Sequence, residues 1–329
     1  MGVGGGRDEA AESARFVEEI RRTAEGLLSD DADRGDVKLI ARALSELRVA
    51  IKVLSRYRHR RKVTMFGSAR TPPDDPVYKH AVEFGRAMAR EGYMVVTGGG
   101  PGIMEAGHVG AGPEASIGIN IVLPFEQAAN TVIAGDEKLI HTRYFFTRKL
   151  LFLKESDAVV LFPGGFGTLD EGFEALTLLQ TGRAELMPIV LVDAPGGSYW
   201  THWDQYVRAQ LFDAGLISEE DLHLYKITSS IEEAVREITG FYRVFHSQRY
   251  VRGRLVLRLN RTLDEAFIER LNRDFADMLT GRAIRMGEAH ADEFNEPQLA
   301  DLPRLYVPFD RKSFGRLRQM IDRINAAAD

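Results

Sequence analysis

The spacing of apolar positions divides the chain into three textures. Before about residue 61 the apolar residues recur at helical intervals: Phe16, Ile20 and Leu27-Leu28 form one stripe, and Leu39-Ile40, Leu44, Leu47, Ile51 and Leu54 form a second. The polar run 29–35 separates them, so 1–61 reads as a disordered glycine-rich tail followed by a helical extension. From Lys62 short apolar runs alternate with longer amphipathic ones. This predicts strands at 63–66, 93–97, 116–122, 158–162 and 188–192, with a short one at 138–141. Helices are expected over 76–90, from 103, over 142–155, after 168, and over 200–214 and 231–241. Strands alternating with helices mean parallel βαβ units and an α/β core over 62–245. After that the pattern changes to a small α+β appendage, 246–329, with a strand at 250–259, a helix at 263–279, a strand at 305–309 and a last helix at 313–327.

Three predicted strand ends carry glycine or serine: Gly67-Ser68, the run Gly98-Gly99-Gly100-Pro101-Gly102, and Gly164-Gly165-Phe166-Gly167. Ligands of open α/β sheets bind outside the carboxyl ends of the strands, so three such loops on one edge suggest a nucleotide cradle. The stretch 157–171 is the most telling. A buried strand stops at Pro163, crosses the glycine turn and opens a helix whose apolar face is Leu169, Phe173, Leu176 and Leu179. Thr168 is placed as the N-cap and Glu171, three residues on, as its capping-box partner. A helix start of this kind offers unpaired N–H groups and a positive dipole end to an anion, most often a phosphate.

Charge and composition narrow the partners. A formal net charge of -5 argues against a general nucleic-acid binder. The absence of cysteine excludes disulfides, thiolate metal sites and a cysteine nucleophile, and accords with a cytoplasmic protein. The eight histidines show no ligand spacing, so no metal is expected. No apolar run approaches the roughly 20 residues of a membrane span, and the glycine-rich start does not read as a signal peptide. The basic cluster Arg56, Arg58, His59, Arg60, Arg61 and Lys62 reads as a solvated helix end in preference to a phosphate patch. Arg252, Arg254 and Arg258 read likewise as an exposed strand face balanced by nearby acids. The P-loop pattern is absent, and Gly-x-Gly-x-x-Gly fails at each glycine loop, which disfavours a P-loop NTPase and a dinucleotide oxidoreductase.

The run from Tyr144 through Arg148-Lys149 to Pro163-Gly164-Gly165-Phe166-Gly167-Thr168-Leu169-Asp170-Glu171 resembles the signature of the LOG (Lonely guy) family. That pattern is Pro-Gly-Gly-x-Gly-Thr-x-x-Glu preceded by an Arg-Lys pair, and it is matched in full; the run from Gly98 to Ala106 resembles the longer bacterial members. The members are cytokinin riboside 5′-monophosphate phosphoribohydrolases, long mislabelled as lysine decarboxylases. The resemblance, over about 62–245, implies a Rossmann-like parallel sheet with helices on both faces and a homodimer or larger homo-oligomer. It implies hydrolysis of the N-glycosidic bond of AMP or an N6-modified AMP, giving free base and ribose 5-phosphate without a cofactor. Glu171 is then the catalytic carboxylate and Arg148 the residue that positions it or the substrate. The 5′-phosphate would lie on the N–H groups of Gly164, Gly165, Phe166, Gly167 and Thr168, with Gly67, Ser68, Gly99, Gly100, Glu126, Lys149, Leu169, Asp170 and Thr177 as further substrate contacts. Met104 reads as core. Gly172 departs from the larger apolar residue that members often carry there. A non-catalytic nucleotide or molybdenum-cofactor carrier on the same fold is the competing reading, and Arg148-Lys149 together with Glu171 favours the enzyme. Lysine decarboxylation needs a Schiff-base lysine, and nothing near the glycine loops marks one.

Overall fold

The computed structural model describes residues 5–122, 128–293 and 296–327. Two long helices come first, α1 (Gly5–Gly26) and α2 (Arg34–Leu54). Asp33 and Asp36 close a reciprocal capping box at the start of α2, which sets where the polar break ends. The alternating region then gives β1 (Lys62–Phe66), α3 (Pro76–Arg90), β2 (Met94–Thr97), α4 (Ile103–Ala111), β3 (Ser116–Ile121), β4 (Leu139–Thr142), α5 (Phe145–Lys154), β5 (Ala158–Leu161), α6 (Phe166–Gln180), β6 (Ile189–Val192), α7 (Tyr199–Tyr206), β7 (Lys226–Thr228) and α8 (Ile231–Phe241). A π-helical stretch, Val207–Phe212, continues α7. Among the described residues no helix is long and apolar enough to cross a membrane.

The seven strands form one parallel sheet in the order β4-β3-β2-β1-β5-β6-β7. The fold is therefore α/β, as the alternation of apolar runs predicts. β1, β2, β3, β5 and β6 are buried throughout, which is why they read as continuous apolar runs. Successive residues serve opposite faces. Val63, Met65, Val95 and Val160 pack with Phe84 and Met88 of α3, Ile103 of α4 and Ile238 of α8. Phe66, Met94, Val96, Val159 and Leu161 pack with Leu151 and Phe152 of α5 and with Ala175 and Leu179 of α6.

The chain continues with β8 (Phe245–Val251), β9 (Arg254–Leu259), α9 (Glu265–Asp274), β10 (Arg285–Gly287), β11 (Arg304–Val307) and α10 (Phe314–Ala326). These strands make an antiparallel sheet in the order β10-β11-β9-β8. Its apolar face, with Leu255, Leu257, Leu259, Leu305 and Val307, shares one core with Leu317 and Ile321 of α10 and with Leu179 and Phe241 of the preceding region.

The expected single strand at 250–259 is a hairpin. Arg252 and Gly253 both have positive φ, 47° and 79°, the pair of left-handed residues that a tight two-residue turn requires. Arg-Gly is a weaker turn signal than Asn-Gly, so the break is hidden in the sequence. The short edge strands β7 and β10 were not predicted; at three residues each they carry too little pattern. Half of the basic cluster before β1 is ion-paired, with Arg56 at 2.6 Å from Glu137, Arg61 at 2.8 Å from Asp157 and Lys62 at 3.7 Å from Glu155.

α3 and α4 approach backbone to backbone. A Cβ on Gly85 would strike the carbonyl oxygen of Gly107, and one on Gly110 the carbonyl oxygen of Val82. Gly85→Ala should gain up to about 1 kcal/mol in helix propensity yet lower stability overall by about 1–3 kcal/mol, because overpacking forces the helices apart. Urea unfolding measures this; an unchanged or raised midpoint would show that the pair is free to separate.

Candidate active site

The sheet order places a switch point between β1 and β5. The chain winds outward from β1 to β4 and returns to the other side of β1, so the loops after β1 and β5 diverge and leave a crevice. The last rung between the two strands is Phe162 N–H to Phe66 C=O at 2.9 Å. Beyond it Ser68 ties three loops together: its N–H donates to the Pro163 carbonyl at 3.1 Å, and its carbonyl accepts from Ile103 N–H at 3.0 Å. Gly102, with φ of 67°, lets the glycine run pass close to that carbonyl; a Cβ there would collide with it.

A cavity of about 750 Å³ fills the crevice, lined by Gly67, Ser68, Arg70, Gly98, Met104, Arg148, Phe152, Gly164, Gly165, Phe166, Gly167, Thr168, Leu169 and Glu171. α6 starts at Phe166, three residues before the expected boundary, with Gly165 as its N-cap and no side-chain cap. The expected capping box is therefore absent. Thr168 N–H donates to the Gly165 carbonyl at 3.1 Å, and its side chain packs back toward Gly164. The N–H groups of Gly164, Gly165, Phe166 and Gly167 have no acceptor among the described residues, so they are free donors at this helix start. Tyr199 fixes the turn by donating its hydroxyl to the Gly164 carbonyl at 2.6 Å. The Phe166 ring is 94% exposed at the rim.

Glu171, freed from capping, lies one helical turn in and is only 5% exposed. Burial pushes its carboxyl up to about 7; Lys149 and Arg148 pull the other way, while Glu174 and Asp170 add to the rise. Lys149 reaches Glu174 at 2.6 Å, Asp170 at 2.9 Å and Glu171 at 3.5 Å. Burial works against the Lys149 ammonium, but its bonds to Glu174 and Asp170 hold it above its ordinary range. Arg148 is expected to position Glu171 or the substrate; in the structure the ion pair to Glu171 is made by Lys149, and Arg148 acts on Glu171 through its nearby charge. Arg148 lies 5.0 Å from the Phe145 ring centre and 5.6 Å from that of Phe152. Its Nε is buried without an acceptor, and burial lowers the guanidinium pKa. An orphaned cationic donor beside a half-neutralised carboxylate is an electrostatic gap that a ligand can fill.

The triple-glycine loop is set by a buried polar triad that the sequence did not mark. Thr97 Oγ1 accepts from Gly99 N–H at 2.9 Å and meets His108 Nε2 at 3.1 Å. His108 Nε2 also faces the Ile117 carbonyl at 3.1 Å, which leaves Nδ1 to accept from Asn130 Nδ2 at 3.2 Å. Burial lowers the His108 pKa to about 4, keeping the ring neutral in this role. Asn130 closes the loop by donating to the Gly100 carbonyl at 3.1 Å. Gly98 therefore faces the cavity, while Gly99 and Gly100 lie behind it.

Asp170 is exposed beside the cleft, where it pairs with Lys149. Thr177 points elsewhere: its hydroxyl donates to the Phe173 carbonyl at 2.7 Å, and it borders a separate hollow with Trp203 and Tyr225. Glu126 lies outside the described residues. Met104, expected in the core, is on the cavity wall against Gly98, and Arg70 and Phe152 were missed as wall residues. Among the described residues no three His, Cys, Asp or Glu side chains are grouped to share a metal ion.

Residues 100–238 match the family model described as "Possible lysine decarboxylase". Cytokinin riboside 5′-monophosphate phosphoribohydrolase of Mycobacterium tuberculosis is 32% identical over 173 residues, covering 51% of this chain and 88% of that protein. The chain belongs to the LOG family. Cytokinin riboside 5′-monophosphate phosphoribohydrolase LOG1 of Arabidopsis thaliana is 28% identical, over 49% of this chain and 74% of its own length. Among solved structures, the molybdenum cofactor binding protein of Rippkaea orientalis is 24% identical with a TM-score of 0.37, covering 54% of this chain and 93% of that one. The names of the LOG relatives support nucleotide hydrolysis in general.

The native Glu171 carboxyl holds its proton to about pH 7, whereas the ordinary value is 4.5. As pH rises through that window the unfolded state ionises first, so the native state loses up to about 3 kcal/mol. Glu171→Gln should therefore raise stability at pH 8 by about 1–3 kcal/mol and show no gain near pH 4. Urea midpoints at the two pH values check this; an equal effect at both would mean that the carboxylate is not desolvated.

Proposed function

We propose that this protein hydrolyses the N-glycosidic bond of a nucleoside 5′-monophosphate, AMP or an N6-modified AMP, releasing free base and ribose 5-phosphate. The observation that carries the reading is the pairing, in one cavity, of a buried, uncapped Glu171 with the unpartnered Nε of Arg148. The LOG relatives, by their printed names, support the substrate class.

The 5′-phosphate would lie at the start of α6, on the free N–H groups of Phe166 and Gly167 and the positive end of the helix dipole. Holding that end fixes the ribose over Glu171, one turn along the helix. Positive charge develops at C1′ as the bond to the base breaks, and an ionised Glu171 stabilises it while orienting water. The water oxygen bonds to C1′, the electron pair of the C1′–N bond goes to the base, and the proton released by water passes to the Glu171 carboxylate and from there to the departing base nitrogen, which restores the carboxylate and gives neutral free base. Arg148 supplies positive charge to the phosphate or to Glu171 once the site is filled. Lys149 is a positioning residue, because it holds Glu171 through their ion pair. The exposed Phe145, Phe146 and Leu150 on α5, with Phe166 at the rim, support a homodimer or larger homo-oligomer that covers them.

Purified protein incubated with AMP, GMP, CMP and isopentenyladenosine monophosphate should release free base from AMP or the modified AMP, read by chromatography. Tight nucleotide binding with no base from any of the four would instead identify a carrier. Glu171→Ala should lower kcat by a factor of roughly 100 or more while the circular dichroism stays native; retained turnover would remove Glu171 from the mechanism. Because the ionised form acts, kcat/KM should fall about tenfold per pH unit below about 7. A profile flat from pH 5 to 8 would contradict that role.

A further inference from the structure

One face of the C-terminal sheet is lined with arginine. Register across the strands aligns Arg285, Tyr306, Val256 and Arg249 in one row and Gly287, Arg304, Arg258 and Ser247 in the next. Arg254, two residues before Val256 on β9, shares that face. The opposite face is the apolar core, so these cations all stand on the other side of the sheet.

At one end of the face the chain supplies its own anions. Arg258 Nη2 meets Glu293 at 2.8 Å and Glu296 at 2.6 Å, Arg304 Nε meets Glu293 at 3.2 Å, and Arg249 Nη1 meets Glu296 at 2.6 Å. At the other end no such carboxylate is present among the described residues. Arg254 and Arg285, with Arg282 just before β10, surround a cavity of about 200 Å³, and none has a carboxylate in ion-pair reach among the described residues. The Arg285 guanidinium lies 5.1 Å from the centre of the Tyr306 ring, which forms part of the wall. Burial and Glu293 hold the Tyr306 hydroxyl above its ordinary range, and Arg285, Arg304 and Arg254 act on it in the opposite sense.

We propose that Arg254, Arg282 and Arg285, beside Tyr306, form a second anion site that takes a compact phosphate or diphosphate group. Like charges gathered without a counter-ion repel, and a planar guanidinium fork matches phosphate oxygens two at a time. The cavity suits such a group and is below the roughly 300 Å³ usual for a larger organic ligand. It shares no residue with the crevice between β1 and β5, so it stands or falls apart from the reaction proposed there.

Calorimetric titration of the full chain with sodium pyrophosphate tests the site. Saturable binding is expected. It should weaken at least tenfold in Arg254→Ala/Arg285→Ala and persist in Arg148→Ala, which alters the crevice alone. Arg254 and Arg285 are exposed and unpaired, so the ligand-free thermal midpoint of the double variant should be equal or higher, and pyrophosphate should no longer raise it. A single Arg282→Ala variant should show a smaller loss in the same direction. The proposal is overturned by the absence of saturable binding, by binding lost only in Arg148→Ala, or by affinity unchanged in the double variant. Capture of a single-stranded oligonucleotide that pyrophosphate does not displace would also overturn it and mark a nucleic-acid surface instead.

Discussion

Parallel strands send every carboxyl end to one edge of the sheet, and the candidate site depends on that constraint. Because β1 is the centre from which the chain winds first one way and then the other, its loop and that of β5 cannot both follow the same side. The crevice is thus a product of topology before any side chain is specified. Side chains and backbone then hold it open. Ser68 bridges the loops on either side, and the Thr97–His108–Asn130 triad makes the glycine loop after β2 a fixed wall. A neutral, fully buried histidine suits this purpose, since one ring nitrogen donates while the other accepts.

The core of the fold was legible because its strands are buried on both faces and its helices on one, so period and run length separated them. Helix boundaries were harder. Asp33, Asp75 and Ser230 cap with their side chains and leave a sequence trace. α6 begins on the bare backbone of Gly165, and its true start left no such trace. Thr168 and Glu171 had the spacing of a capping box, and only the backbone shows that the box does not form. The hairpin at Arg252-Gly253 was hidden for a related reason, because a left-handed arginine has no distinctive pattern.

The site was legible in part. Motif matching brought together residues of the β1 and β5 loops and Arg148 that do converge on one cavity. Gly99, Gly100 and Thr177 lie close in sequence to cavity residues without facing the cavity, since a loop turn or a helix face redirects them. Arg70, Phe152 and the buried triad come from ordinary positions in loops and helices, where residue type alone says little about direction.

Charge placement makes Glu171 the most constrained residue in the crevice. A carboxylate with two cations nearby would ordinarily titrate low, yet burial outweighs them and leaves it near neutrality. Lys149 divides its charge among three carboxylates, and Arg148 keeps its Nε unmatched, so neither cation fully compensates Glu171. In a purely structural cluster such an imbalance would be a net cost, because a buried charge is favourable only when its partners are complete. A helix cap would have relieved it by holding Glu171 to the backbone. Without that cap, the reaction proposed above would supply the missing compensation, since its 5′-phosphate brings an anion to α6 and positive charge develops above Glu171.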